Sequence, residues 1–170
     1  TPNNWWGGVY QFDENGNIIS TDTIYSPLDS GGYIRPDDMQ TTLDSGFIIA
    51  NTLDLGAVNL GILKLDKNGD KQWEVLRGIS NYTESWADIY VDDDGSYVIG
   101  YLQNNLNYVS INYTVRSLLE KIDGIGNSVW TYQTPDSIQV YGVNDVQKTK
   151  DNGWVVAVSY THLRAHETHE

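Results

Sequence analysis

Three aspartates at matched places are the side chains best suited to chemistry: Asp38, Asp88 and Asp145, each followed by an apolar residue, Met39, Ile89 or Val146. Where such carboxylates begin strands that line a common channel, they converge on its rim together with Trp86. Converging carboxylates can hold a cation or divide the roles of general acid and base. An aspartate so placed can equally satisfy loop amides or tie neighbouring sheets, and that structural role is the expectation here. Ligand contact at the rim is the functional alternative.

A second acidic set lies in Asp13 to Asn17 and Asp66 to Asp70, where Asp-Xaa-Asn-Gly recurs. Oxygen-rich loops bind Ca²⁺, but the spacing does not fit the helix–loop–helix calcium pattern. Asp accepting from turn amides, with Gly supplying a positive φ, explains the same residues. No cofactor is expected, Ca²⁺ at these turns being the one candidate. Trp5, Trp6, Tyr33, Tyr82, Trp86 and Tyr141 fall near expected loops and could stack on carbohydrate or peptide, although repeated aromatics also serve packing.

All three histidines, His162, His166 and His169, lie in or just after the string VSYTHLRAHET from Val158 to Thr168. That string resembles the translation of a sequencing-library adapter. Residues 159–170 are therefore expected to be a non-native tail rather than a histidine metal site. Without them no histidine remains for a Ser-His-Asp triad. The sequence contains no phosphate-binding Gly-rich loop, Gly-Xaa-Ser-Xaa-Gly elbow or His-Glu-Xaa-Xaa-His motif. It offers no expected catalytic residue and no expected metal ligand.

Bulk properties narrow the setting. Ten basic and 23 acidic residues give a net charge of −13, and −12 without the tail. Such a field repels nucleic acid and anionic membranes, so neither is an expected partner. Cysteine is absent, which removes disulfides and thiolate chemistry. No apolar run approaches the roughly 20 residues of a spanning helix. The chain opens on Thr1-Pro2, so its true start, and any signal peptide, is expected to lie upstream.

Repeats decide the elements that must position these residues. GVYQFDENGN from Gly8, GILKLDKNGD from Gly61 and LLEKIDGIGN from Leu118 align, matching Asp13 and Gly16 with Asp66 and Gly69 and with Asp123 and Gly126. Trp73 and Trp130 follow the last two, whereas Ser20 stands in the first. LDSGFIIAN, DDGSYVIGY and KDNGWVVAV align on Asp44, Asp94 and Asp151, six residues after the Asp38, Asp88 and Asp145 set. Each unit reads as four short strands with tight turns, as in Ala87–Val91, Ser96–Leu102, Leu60–Leu65 and Gln72–Leu76. With 16 Gly, 12 Tyr and 6 Trp, the composition favours strands over helices.

LKLDKNGDKQW followed by DDGSYVIGY resembles the repeat of secreted bacterial β-propellers, common in Bacteroidetes proteins exported through the type IX pathway. It is more distantly similar to quinoprotein-type repeats. The resemblance implies an all-β, partial β-propeller of four-stranded antiparallel blades across residues 1–158. A half blade would span 8–24, full blades about 37–79 and 86–134, and a second half blade 142–158. Ile89 would lie on an innermost strand, Leu65 on a third strand and Trp73 on an outermost one. Ser20, Glu120 and the short Asp-to-Gly spacing depart from the quinoprotein pattern, so a quinone is not implied. A β-trefoil is the alternative fold, but its repeats would begin and end with the chain.

The function implied is a non-enzymatic extracellular scaffold for binding or display, secreted or on the cell surface. Its partners would be an unknown protein or carbohydrate and the remaining blades of its own chain. The alternative is a glycosidase or lyase using channel carboxylates, which would need two of them about 5–10 Å apart on one pocket.

Overall fold

In the computed structural model, residues 7–24, 33–54, 58–78, 82–105, 115–135 and 140–160 are described, and every regular element among them is a strand. The first four are β1 (Gly7–Phe12), β2 (Ile18–Ile24), β3 (Tyr33–Thr41) and β4 (Phe47–Asp54). Next come β5 (Val58–Leu65), β6 (Lys71–Arg77), β7 (Tyr82–Val91) and β8 (Tyr97–Asn105). The last are β9 (Val115–Ile122), β10 (Ser128–Gln133), β11 (Val140–Lys148) and β12 (Trp154–Tyr160). They form two four-stranded antiparallel sheets, ordered β3-β4-β5-β6 and β7-β8-β9-β10, and two hairpins, β1-β2 and β11-β12. Ser159 and Tyr160, placed by sequence in the tail, pair within β12 against Gly142 and Val140.

The repeated turns close these hairpins by one device. Asp13 N–H donates to the Asn17 carbonyl at 2.9 Å, and Gly16 N–H donates to the Asp13 carbonyl at 3.1 Å. The same pair of bonds recurs at Asp66–Asp70 and Asp123–Asn127. Gly16, Gly69 and Gly126 hold φ at 82°, 92° and 90°, a region that glycine enters without a Cβ clash. The Asp13 carboxylate accepts from the N–H groups of Asn15 and Asn17 and from the Asn17 amide. Asp66 and Asp123 do the same at their turns. These carboxylates are spent on their own turns, and bonds from Asn17 and Asn127 lower the pKa of Asp13 and Asp123 below the usual carboxylate range.

The other repeated turn joins β3 to β4, β7 to β8 and β11 to β12. Its left-handed residue is Gly95 (φ 81°) in one unit but Ser45 (67°) and Asn152 (64°) in the others. Antiparallel alternation puts both turn types at the same end of each sheet, so much of the acidity gathers there. Lysines answer it. The buried Lys64 pairs with Asp44 at 2.9 Å, and Lys121 pairs with Asp92 and Asp94 at 2.9 Å. The Thr42 hydroxyl and Lys64 hold the Asp44 carboxyl at about 2.

The sheets stack face on face in chain order. Ile48, Ala50, Leu60 and Ile62 of one full sheet pack against Ala87, Ile89, Ile99 and Ile122 of the next. On the far side of the second sheet, Val98 packs with Val143, Val146 and Val156 of the last hairpin. On the far side of the first, Ile49, Leu63 and Leu65 meet Val9 of the first hairpin. Trp73 spans an interface, its indole N–H donating to the Gly124 carbonyl at 3.0 Å. Glu120, an odd residue for a core strand, is matched across the interface. Arg77 of β6 grips both of its oxygens at 3.0–3.1 Å and also reaches the Gly126 carbonyl.

β7 begins five residues earlier than the sequence reading of Ala87. A bulge between Ser85 and Asp88, with Trp86 at φ 59°, breaks the two-residue alternation that marks a strand. Equivalent bulges interrupt β3 between Pro36 and Asp38 and β11 between Val143 and Asp145.

Candidate functional site

β3, β7 and β11 are each the first strand of their sheet, and each leaves one edge without a strand partner among the described residues. Edge N–H groups need acceptors, and the aspartate set supplies them from the neighbouring sheet. Asp38 Oδ2 accepts from Ile89 N–H at 2.9 Å, and Asp88 Oδ2 accepts from Val146 N–H at 2.6 Å. Each aspartate thus ties its own sheet to the next. Asp145 is exposed and accepts only locally in what is described, from the Gln147 amide at 2.8 Å.

Just before these ties, the bulges aim side chains into a cleft of about 390 Å³. Arg35, Asp37, Asp38, Trp86, Asp88 and Asn144 line it, drawn from three successive sheets. Asp145 does not line it. The Arg35 guanidinium sits 5.9 Å from the centre of the Trp86 ring, within cation–π range. Arg35 is itself fixed by Asp37, whose other oxygen takes the Thr52 hydroxyl. The Trp86 indole is 54% exposed although its backbone occupies the left-handed region. For a bulky residue that conformation is a genuine outlier.

Burial pushes the Asp88 carboxyl up to about 6, and the carboxylates of Asp38 and Asp145 add to the rise against the opposing Val146 N–H bond. A half-buried acid that ionises near neutrality, beside a second carboxylate, is the chemically distinctive feature of the cleft.

Of the residues singled out from sequence, Asp38, Asp88 and Trp86 come together here, while Asp145 stands one sheet further on. Tyr82 lies against the Arg116 guanidinium at 5.9 Å instead. Trp5, Trp6, the side chains of Tyr33 and Tyr141, and His162, His166 and His169 lie outside the described residues. Sequence reasoning missed Arg35, Asp37 and Asn144. Their only signal is position, one to three residues before the tie aspartate, and it becomes readable once the bulge is known. Among the described residues no three acidic or histidine side chains are grouped to hold a metal ion. No protein-family model matches the chain, and no curated protein matches it.

Proposed function

We propose that this chain is part of an extracellular β-propeller working as a non-enzymatic binding scaffold, with a carbohydrate ligand taken at the cleft around Trp86. Equivalent Asp–Gly turns in successive stacked sheets, and sheets that share no strand, support the propeller architecture over a trefoil. The likeness to exported bacterial repeats supports a place outside the cell or on its surface.

The observation that carries the binding role is Trp86. A left-handed φ at a bulky residue costs on the order of 1–3 kcal/mol and persists where it serves a site. Here it turns an indole outward beside Arg35 and carboxylate acceptors, a combination suited to stacking on a sugar ring and bonding its hydroxyls. Trp86→Gly removes both the ring and the strain. Binding to a panel of neutral oligosaccharides, followed by calorimetry, should be lost while the fold melts no lower. A Trp86→Gly protein that binds the same oligosaccharides as the parent overturns the reading.

One observation favours a second reading, a propeller-fold glycosidase or lyase: Asp38 and the raised Asp88 share the cleft, and two carboxyls on one pocket can divide acid and base roles. Hydrolysis or elimination on the same panel, abolished by Asp88→Asn, would establish it. Against it, each carboxylate already has one oxygen on a strand amide.

A further inference from the structure

The charged side chains described along the Trp86 cleft are Arg35, Asp37, Asp38 and Asp88. They do not balance. Arg35 is answered by Asp37, one oxygen of which takes its Nε at 3.0 Å and a terminal nitrogen at 2.9 Å. Asp38 and Asp88 are left over, on a chain whose net charge is already −13. The two differ in what they can still accept. Asp38 Oδ1 takes the Met39 N–H at 2.7 Å, and its Oδ2 takes the Ile89 N–H at 2.9 Å and the Gln40 amide at 3.3 Å. Asp88 uses Oδ2 for the Val146 N–H at 2.6 Å, and its Oδ1 has no donor among the described residues.

We propose that the sugar taken at this cleft carries a free, protonated amine, which pairs with Asp88 Oδ1 while the ring stacks on Trp86. The assignment rests on the carbohydrate reading above and names the class of sugar. The charged groups facing Asp88 are Asp38 on β3 and Asp145 on β11, with Arg35 and Asp37 along the same cleft. Burial first, and then those two carboxylates, hold Asp88 at about 6. An ammonium against Oδ1 offsets the repulsion and favours the ionised form. The bond so made is charge-assisted, and stronger than the one an acetamide N–H would make at the same place. The indole adds to it, because the negative face of the ring attracts cations and already has the Arg35 guanidinium at 5.9 Å.

The competing ligands fit less well. An acidic sugar meets Asp38 and Asp88 as like charges, while the one cation of the cleft is committed to Asp37. A neutral sugar stacks equally but leaves the surplus charge unanswered. A lysine side chain from a basic peptide supplies the ammonium alone. An amino sugar supplies the ammonium together with a ring for the indole and hydroxyls for Asn144, within a cleft of about 390 Å³. The acidic field of the chain also raises the local concentration of any cationic ligand.

Calorimetry on the full chain at about pH 6.5, with a β-1,4-linked glucosamine tetramer and its fully N-acetylated counterpart as probes, reads the preference. The glucosamine tetramer should bind at least about fivefold more tightly. Asp88→Asn keeps an acceptor for the Val146 N–H and should bring the two affinities to within about twofold of each other. Acidifying to about pH 4.5 puts a proton on Asp88 while the amine keeps its own, and should shrink the preference of the parent in the same way. Trp86→Gly should lose both tetramers. Equal binding of the two by the parent, with both lost in Trp86→Gly, overturns the amine assignment and leaves the carbohydrate reading standing. Binding of neither overturns both. A preference that survives Asp88→Asn, or glucosamine binding that survives Trp86→Gly, is general attraction to an acidic chain and overturns the proposal. So does a tetralysine peptide that binds as tightly as the glucosamine tetramer and equally needs Trp86, the mark of a basic-peptide site.

Discussion

Replacing Asp88 with Asn should make the protein more stable at neutral pH, although Asp88 makes an inter-sheet hydrogen bond. The carboxyl ionises at about 6 in the fold, raised first by burial and then by Asp38 and Asp145. In an unfolded chain it ionises at about 3.9. The folded state therefore holds the proton more tightly. Its contribution to stability is fully present below about pH 4 and is lost as pH rises through about 6. A gap of about two units corresponds to at most about 3 kcal/mol. Asp88 is only half-buried, and solvent screening brings this to about 1–2 kcal/mol. The Asn side-chain oxygen can still accept from Val146 N–H, without the charge. At about pH 7.5 the variant should thus gain about 1–2 kcal/mol, or about 2–8 °C in Tm for a chain of this size. The gain should vanish near pH 4. Thermal melts followed by circular dichroism between about pH 4 and pH 8 read both. The carboxylates with lowered values, Asp44 and Asp94 foremost, act with the opposite sign below about pH 4 and leave this window clear. An Asp88→Asn protein that melts below the parent at neutral pH, or an advantage that persists unchanged into acid, refutes the electrostatic account of this tie.

The turns give a matched pair of tests. Ser45→Gly should raise stability by about 1 kcal/mol, because Ser holds a left-handed φ where Gly95 stands in the next unit, while Asn152→Gly should change little, since Asn tolerates that region; denaturant midpoints distinguish them. Arg77→Leu should cost about 3–5 kcal/mol by stranding the buried Glu120, and Arg77→Leu with Glu120→Leu should recover most of it; a double-mutant cycle in urea checks the coupling. Trp86→Gly should abolish oligosaccharide binding in calorimetry without lowering Tm, as strain relief offsets lost ring contacts.

All-β character and four-stranded antiparallel sheets were legible because the Asp–Gly turns are local. Five residues such as Asp66 to Asp70 contain every donor and acceptor that closes the hairpin. The alternation in the second half of β9, with Leu118, Glu120 and Ile122 buried against half-buried Leu119 and Lys121, is likewise written in neighbouring residues. What stayed hidden depends on partners about 50 residues away. Glu120 looked like a defect because its partner is Arg77, in a different sheet. The tie role of Asp38 and Asp88 was one of two readings until the amides of Ile89 and Val146 stood beside them. The cleft was least legible. A bulge shifts the alternation by one residue, so Arg35 and Asp37 carry no periodic mark.

The division of labour among the repeats explains why the cleft lies where it does. A stacked repeat holds together through positions that are alike in every unit: the turn Asp and Gly, the apolar residues of the second and third strands, and the tie aspartate. Those positions cannot tell one ligand from another, because each unit presents the same groups. Discrimination has to come from places where the units differ while their backbones still superimpose. The three residues before each tie are such a place. They read Arg35-Pro36-Asp37, Ser85-Trp86-Ala87 and Gly142-Val143-Asn144, with no residue shared at any position. The bulge leaves Asp37, Trp86, Ala87 and Asn144 out of the strand pairing, and the tie aspartate behind them fixes the spacing between sheets. A cation, an indole and an amide are thus held side by side on a rim that none of the three sheets could form alone. Gly142 lies beside the Trp86 ring, where an added Cβ would make ordinary contact with Cε3 at 3.6 Å. On the binding role proposed above, specificity would follow from irregularity that the regular turns and ties keep in register.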